Sequence, residues 1–147
     1  MSATIVKTGS GTGKSVMLTI MALYYLRKGI KVDIIVPNQA LKEQFEADLY
    51  ERCGVEAEEI KVWHSDEKDI QIRDNSAVLI DESDQVLDFK KLEIDSYLKV
   101  KGIQTLARKP DIRLITLTAT VSDKSFHTHQ IMLATENVLE FKSFVEM

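Results

Sequence analysis

Thr8-Gly9-Ser10-Gly11-Thr12-Gly13-Lys14-Ser15 is the stretch that decides the fold. A short β-prone segment, Thr4–Lys7, runs into it, and a helical pattern, Lys14–Lys28, leaves it. Strand, glycine-rich loop and helix in that order make a phosphate-binding loop. The glycines let backbone N–H groups curl around a phosphate without Cβ clashes. The helix N-terminus adds the positive end of its dipole. Lys14 supplies a mobile charge for β- and γ-phosphates, and the Ser15 hydroxyl is suited to Mg²⁺. Relative to the pattern G-x-x-x-x-G-K-[ST], the first position is Thr8 rather than glycine.

Outward from the loop, strand and helix patterns alternate, which argues for an α/β fold with a mainly parallel sheet flanked by helices. Val16 to Leu26 is apolar nearly all round and reads as a buried helix. It is too short for the ~20 residues of a membrane span. Gly29 stands where a C-terminal cap belongs. Val32–Val36 reads as a continuous apolar strand ended by Pro37. Asn38 is placed to cap a helix whose apolar face carries Leu41, Phe45 and Leu49, and Gly54 closes it. Strands follow at Ile60–Trp63, Ala77–Ile80, Arg113–Leu117 and Val138–Phe141. Further helices are expected within Ser96–Ala107 and from Ser122 to about Leu133.

Ala77–Ile80 runs straight into Asp81-Glu82-Ser83-Asp84. A buried strand ending in adjacent carboxylates delivers them to the carboxyl edge of the sheet, where ligands of open α/β sheets bind. There Asp81 is placed to hold Mg²⁺, and Glu82 to polarise an attacking water as general base. Asp84 also suits a helix cap. A third element, Leu114-Ile115-Thr116-Leu117-Thr118-Ala119-Thr120, ends an apolar strand in hydroxyl residues. If its strand inserts between the other two, Thr118 and Thr120 lie beside both the phosphate loop and Asp81.

Composition sets the outer limits. At 147 residues the chain corresponds to one domain. It is long enough to bury about 70% of its unfolded surface. A hydrophobic share of 44% argues against disorder. One cysteine, Cys53, excludes a disulfide framework and a Cys-rich zinc site, and points to a reducing, intracellular and cytoplasmic setting. A net charge of -4 argues against strong free-standing nucleic-acid binding. His127 and His129, two apart, fall on different helix faces and do not form a shared metal site. Trp63 reads as a core residue, with base stacking as the functional alternative. Lys99, Lys101, Arg108, Lys109 and Arg113 form a basic interval. The abrupt start fits either a minimal protein or a piece of a longer one.

Taken in order, the three elements resemble the N-terminal motor domain of superfamily 2 helicases. Gly11-Thr12-Gly13-Lys14-Ser15 matches motif I, Asp81-Glu82-Ser83-Asp84 the D-E-x-D box of motif II, and Thr118-Ala119-Thr120 motif III. Ile34 to Leu41 is loosely similar to motif Ia. The run Asp81 to Leu87 looks like the DEAD-like motors of SecA-type translocases and of DEAD-box RNA helicases alike. The resemblance implies a RecA-like P-loop NTPase fold over 1–147 as a single ATP-binding domain. It implies ATP and Mg²⁺ as cofactors, with Thr8 to Ser15, Thr118 and Thr120 at the nucleotide, Ser15 and Asp81 at the metal, and Lys14 and Glu82 in catalysis. It implies ATP hydrolysis coupled to RNA, DNA or, as in SecA, polypeptide.

There are departures from the pattern. Only about 40 residues separate Pro37 from the acidic box, fewer than the family spends there. No turn like motif Ib, no adenine-reading Q motif and no SecA-type insertion is recognisable. The second RecA-like domain, which carries the arginine fingers, has no counterpart in these residues. Such an arginine is worth ~10³–10⁵-fold in rate. The expectation is therefore a domain that binds ATP and hydrolyses it weakly until a second domain or partner protein completes it. A non-catalytic nucleotide-binding interaction module is the alternative. A small P-loop kinase fits less well, because the arginines its lid would need are scattered.

Overall fold

In a computed structural model, residues 2–8, 14–54, 59–65, 67, 70–81, 105, 109–118 and 138–141 are described. Among these residues, the strands and helices follow one another as β1 (Ser2–Thr8), α1 (Lys14–Arg27), β2 (Lys31–Val36), α2 (Gln39–Cys53), β3 (Ile60–His64), β4 (Ser76–Ile80), β5 (Arg113–Thr118) and β6 (Val138–Phe141). Both helices and all the strands stand where the hydrophobic patterns predict them, with ends differing by a residue or two. The helices expected within Ser96–Ala107 and after Ser122 lie outside the described residues, apart from Thr105, which is helical.

All six strands form one sheet in the order β3-β2-β4-β5-β1-β6. Every pairing is parallel. Parallel strands are buried on both faces, which explains the near-continuous apolar runs. On one face Val32, Ile34, Leu79, Ile115 and Leu117 pack with Met17, Leu18 and Ala22 of α1 and Phe45 and Leu49 of α2. The other face presents Asp33, Val78, Ile80, Leu114, Thr116 and Thr118, each fully buried.

Local chemistry sets the helix ends. Gly29 adopts φ 76°, and its N–H donates to the Leu26 carbonyl while the Ile30 N–H donates to that of Tyr25. Those two bonds are a Schellman motif, and the left-handed residue it needs is a glycine. The Asn38 side chain accepts from the Leu41 N–H at 2.9 Å, capping α2.

Three expectations change. The Val16–Leu26 helix is buried on one side only, since Val16, Ile20 and Tyr24 are exposed along the stripe turned from the sheet. Leu41 is exposed as well, whereas Phe45 and Leu49 are buried. Its turn starts at the carboxyl edge, just after β2 ends, where the sheet no longer covers it. Finally, β2 is not continuously apolar, because Asp33 lies at its centre.

Asp33 is fully buried and accepts hydrogen bonds from Ser76 Oγ at 2.6 Å, Trp63 Nε1 at 3.2 Å and Arg73 Nε at 3.4 Å. Arg73 also donates to the Val32 carbonyl at 2.7 Å. These bonds tie down an unusual connection. β3 and β4 are parallel and flank β2, yet residues 65–75 alone link them. A parallel crossover normally takes a dozen or more residues, including a helix. The described part of this one has no helix. Arg73 and Ser76 fasten its end to the carboxylate of the strand it crosses. This economy accounts for the short interval between Pro37 and the acidic box.

Candidate functional site

The sheet order brings three chemically distinct strand ends together. β5 lies between β1 and β4, as the sequence reading required for its third element. The register pairs Lys7 with Thr118 and Ile80 with Thr116. Thr8, the last residue of β1, and Asp81, the residue after β4, therefore leave the same carboxyl edge on either side of β5. Their strands are two spacings apart, or about 10 Å.

β1 ends at Thr8 and α1 begins at Lys14. Five residues, Gly9 to Gly13, thus join a buried parallel strand to a helix N-terminus. A phosphate cradle is built between two such ends, a strand and a helix N-terminus close together in the chain. Lys14 and Ser15 occupy the first two positions of α1, where the helix dipole is positive. Gly9, Ser10, Gly11, Thr12 and Gly13 lie outside the described residues, as do Glu82 and Thr120. Thr8, Lys14 and Ser15 are placed by their backbone.

Asp81 is fixed by its backbone N–H, which donates to the Ile35 carbonyl of β2 at 2.9 Å. Its carboxylate is half-buried at the strand end. Thr118 is fully buried beside β1. The donor set fits a magnesium nucleotide: a hydroxyl and a carboxylate as hard oxygen ligands, a lysine, and a helix N-terminus. Ser15 and Asp81 would hold the metal, and Thr8 to Ser15 the phosphates.

Next to this edge, Glu67 accepts an ion pair from Lys42 and lies 3.6 Å from His64 Nε2. Ser65 Oγ donates to the Pro37 carbonyl at 2.6 Å. These contacts hold the ends of β2 and β3 in place. Sequence reasoning missed the Asp33–Trp63–Arg73–Ser76 cluster that supports the same strands. A charged residue inside an apolar strand was the available signal, because a buried carboxylate needs partners. Trp63 is half-buried and bonded to Asp33 through its indole N–H.

Fold and strand order together define a RecA-like α/β domain, a parallel sheet flanked by helices. The chain belongs to the AAA domain family, whose model matches residues 1–107. No curated protein matches the sequence. Among solved structures, the helicase domain of Hef from Pyrococcus furiosus is similar with a TM-score of 0.69 and 16% identity, over 96% of this chain and 35% of that one. The yeast DEAD-box splicing factor Prp28 is similar with a TM-score of 0.65 and 13% identity, over 95% of this chain and 41% of that one. A hypothetical ATP-dependent RNA helicase from Sulfolobus tokodaii is similar with a TM-score of 0.60 and 16% identity, over 95% and 48%. At these identities the likeness is one of fold. The chain spans less than half the length of each of the three. Among the described residues, no helix is long and apolar enough to cross a membrane.

Proposed function

We propose that the chain is a single RecA-like ATP-binding domain of a helicase-like ATPase, which binds Mg-ATP and hydrolyses it weakly alone. The observation that carries this reading is the insertion of β5 between β1 and β4. It brings the phosphate-loop strand, the acidic-box strand and Thr118 to one edge of the sheet. Lys14 and the backbone of Gly9 to Gly13 bind the phosphates, with Ser15 and Asp81 as magnesium ligands. Bound magnesium supplies neutralisation of phosphate charge. Glu82, adjacent to Asp81, accepts the proton of the attacking water. Thr118, which ends the strand between the two motifs, and Thr120, two residues further along the chain, hydrogen-bond the acidic box and sense the terminal phosphate.

A second RecA-like domain or a partner protein supplies the arginine that this arrangement lacks. Coupling to RNA, DNA or polypeptide arises in that completed enzyme. The similarity in fold to helicase domains supports nucleic acid as the first polymer to try. Calorimetric titration with Mg-ATP tests the reading. Binding is expected for the native chain and lost in Lys14→Ala; unchanged affinity in that variant refutes the assignment. Glu82→Gln is expected to bind normally and to lose residual turnover. ATPase measurements with RNA, DNA and unfolded polypeptide as separate stimulants identify the polymer.

A further inference from the structure

β3 lies at one end of the sheet, and among the described residues no strand lies beyond it. Its backbone polarity follows from one bond: the Ser65 N–H donates to the Val36 carbonyl of β2 at 2.9 Å. Because alternate residues of a parallel strand point their backbone groups to the same side, Lys61 and Trp63 also face β2. Ile60 and Val62 therefore turn their N–H and C=O groups outward. An open groove of about 560 Å³ follows this edge, lined by the four consecutive residues Ile60–Trp63 and flanked by Lys42 and Glu46 of α2 and by Glu67.

We propose that this edge pairs with the same edge of a second copy, joining two sheets antiparallel about a twofold axis through Val62. The geometry is self-consistent on three counts. First, Val62 would face Val62 of the second copy as a hydrogen-bonded pair, each giving one N–H and one C=O, which is the pairing its outward groups allow. Second, Lys61 would stand opposite Trp63 of the second copy in the closer, non-hydrogen-bonded pairing, where a cation and an aromatic face attract. Within one copy, Lys61 Nζ already lies 5.9 Å from the Trp63 ring centroid. The lysine thus folds across the face of the sheet. Third, Lys42 and Glu46 lie one helical turn apart beside the groove. A twofold axis sets them antiparallel to their copies, so Lys42, which is ion-paired with Glu67 of its own copy, would gain Glu46 of the second copy as a further acidic neighbour, and the reverse.

A strand of five residues makes a small contact, so the dimer is of the weak, concentration-dependent class. Antiparallel pairing points the two carboxyl edges in opposite directions. The second copy therefore does not complete the nucleotide site, and this inference stands independently of the function proposed above.

Sedimentation velocity over a wide concentration range, paired with amide hydrogen exchange at low and high concentration, tests it on the whole chain. The expected result is a reversible dimer whose Val62 amide gains protection as the dimer fills. Val62→Pro removes the outward N–H at an edge where proline is tolerated. Glu46→Lys, on the helix surface, replaces two attractions across the axis by repulsions. Each is expected to weaken dimerisation by about tenfold or more. A monomer at every concentration overturns the proposal. So does a dimer indifferent to Glu46→Lys, or one in which the Val62 amide stays unprotected. A Val62 amide already protected in the monomer shows instead that another segment of the chain covers the edge, and also overturns it.

Discussion

Replacing Asp33 by alanine should be the most damaging single polar substitution in the described part of the sheet. The carboxylate is fully buried and accepts from Ser76, Trp63 and Arg73. Removing one partner of a buried ion pair costs about 3–5 kcal/mol, because the remaining charge loses its compensation. Three features place this site at the lower end. Arg73 is 23% exposed and keeps its bond to the Val32 carbonyl. Ser76 Oγ has the Lys31 carbonyl within reach at 3.2 Å. Trp63 is half-buried, so its ring is not fully enclosed by the core. The expected loss is about 3 kcal/mol, or about 6–12 °C in Tm for a chain of this size. Asp33→Asn retains an acceptor for Ser76 and should cost about 1–1.5 kcal/mol. Urea denaturation, followed by far-ultraviolet circular dichroism and by the fluorescence of the one tryptophan, Trp63, measures both. A loss below about 1 kcal/mol for Asp33→Ala, or equal losses for the two variants, would refute the account of the carboxylate as the anchor of the β3–β4 crossover.

Gly29→Ala should destabilise by about 1–2 kcal/mol in the same assay. No atom lies within 4 Å of the added Cβ, so the whole cost is the positive φ. Burial, reinforced by the neighbouring Tyr24, raises the pKa of Tyr25 above 10.0, against the opposing pull of Arg113 and Lys28. The folded chain therefore keeps this proton at pH values where the unfolded chain has lost it. Stability from this group is complete below about pH 10 and declines above it, and Tyr25→Phe should make that alkaline decline shallower in a pH series of melts. Thr118→Val should cost about 1 kcal/mol by removing a buried hydroxyl. It should lower ATP turnover more than Mg-ATP affinity; a variant with native turnover argues against a role for Thr118 in sensing phosphate.

Much of this molecule was legible before any coordinates. The patterns over β1 through β6 are runs of β-branched and aliphatic residues bounded by Gly, Pro and Asn, and such signals are local. Gly29 and Asn38 announced their helix ends because capping depends on residues within one turn. The burial of α1 was overestimated for the opposite reason. Its apolar composition is local, but the sheet offers it a single face, and Val16, Ile20 and Tyr24 remain outside. Asp33 was concealed within an apolar run because its partners Trp63, Arg73 and Ser76 are 30 to 43 residues away in sequence.

The order of elements, the glycine-rich stretch after β1 and the acidic strand end are legible in the sequence alone, since each rests on consecutive residues. Sequence could state the insertion of β5 only as a condition. Tertiary structure settled it, and with it the meeting of Thr8, Asp81 and Thr118 at one edge. It also decided that an eleven-residue crossover, residues 65–75, suffices between β3 and β4. The physical reason is common to both. Hydrogen bonding between parallel strands and the pairing of a buried charge join residues distant in the chain, and no local pattern records which partner each one finds.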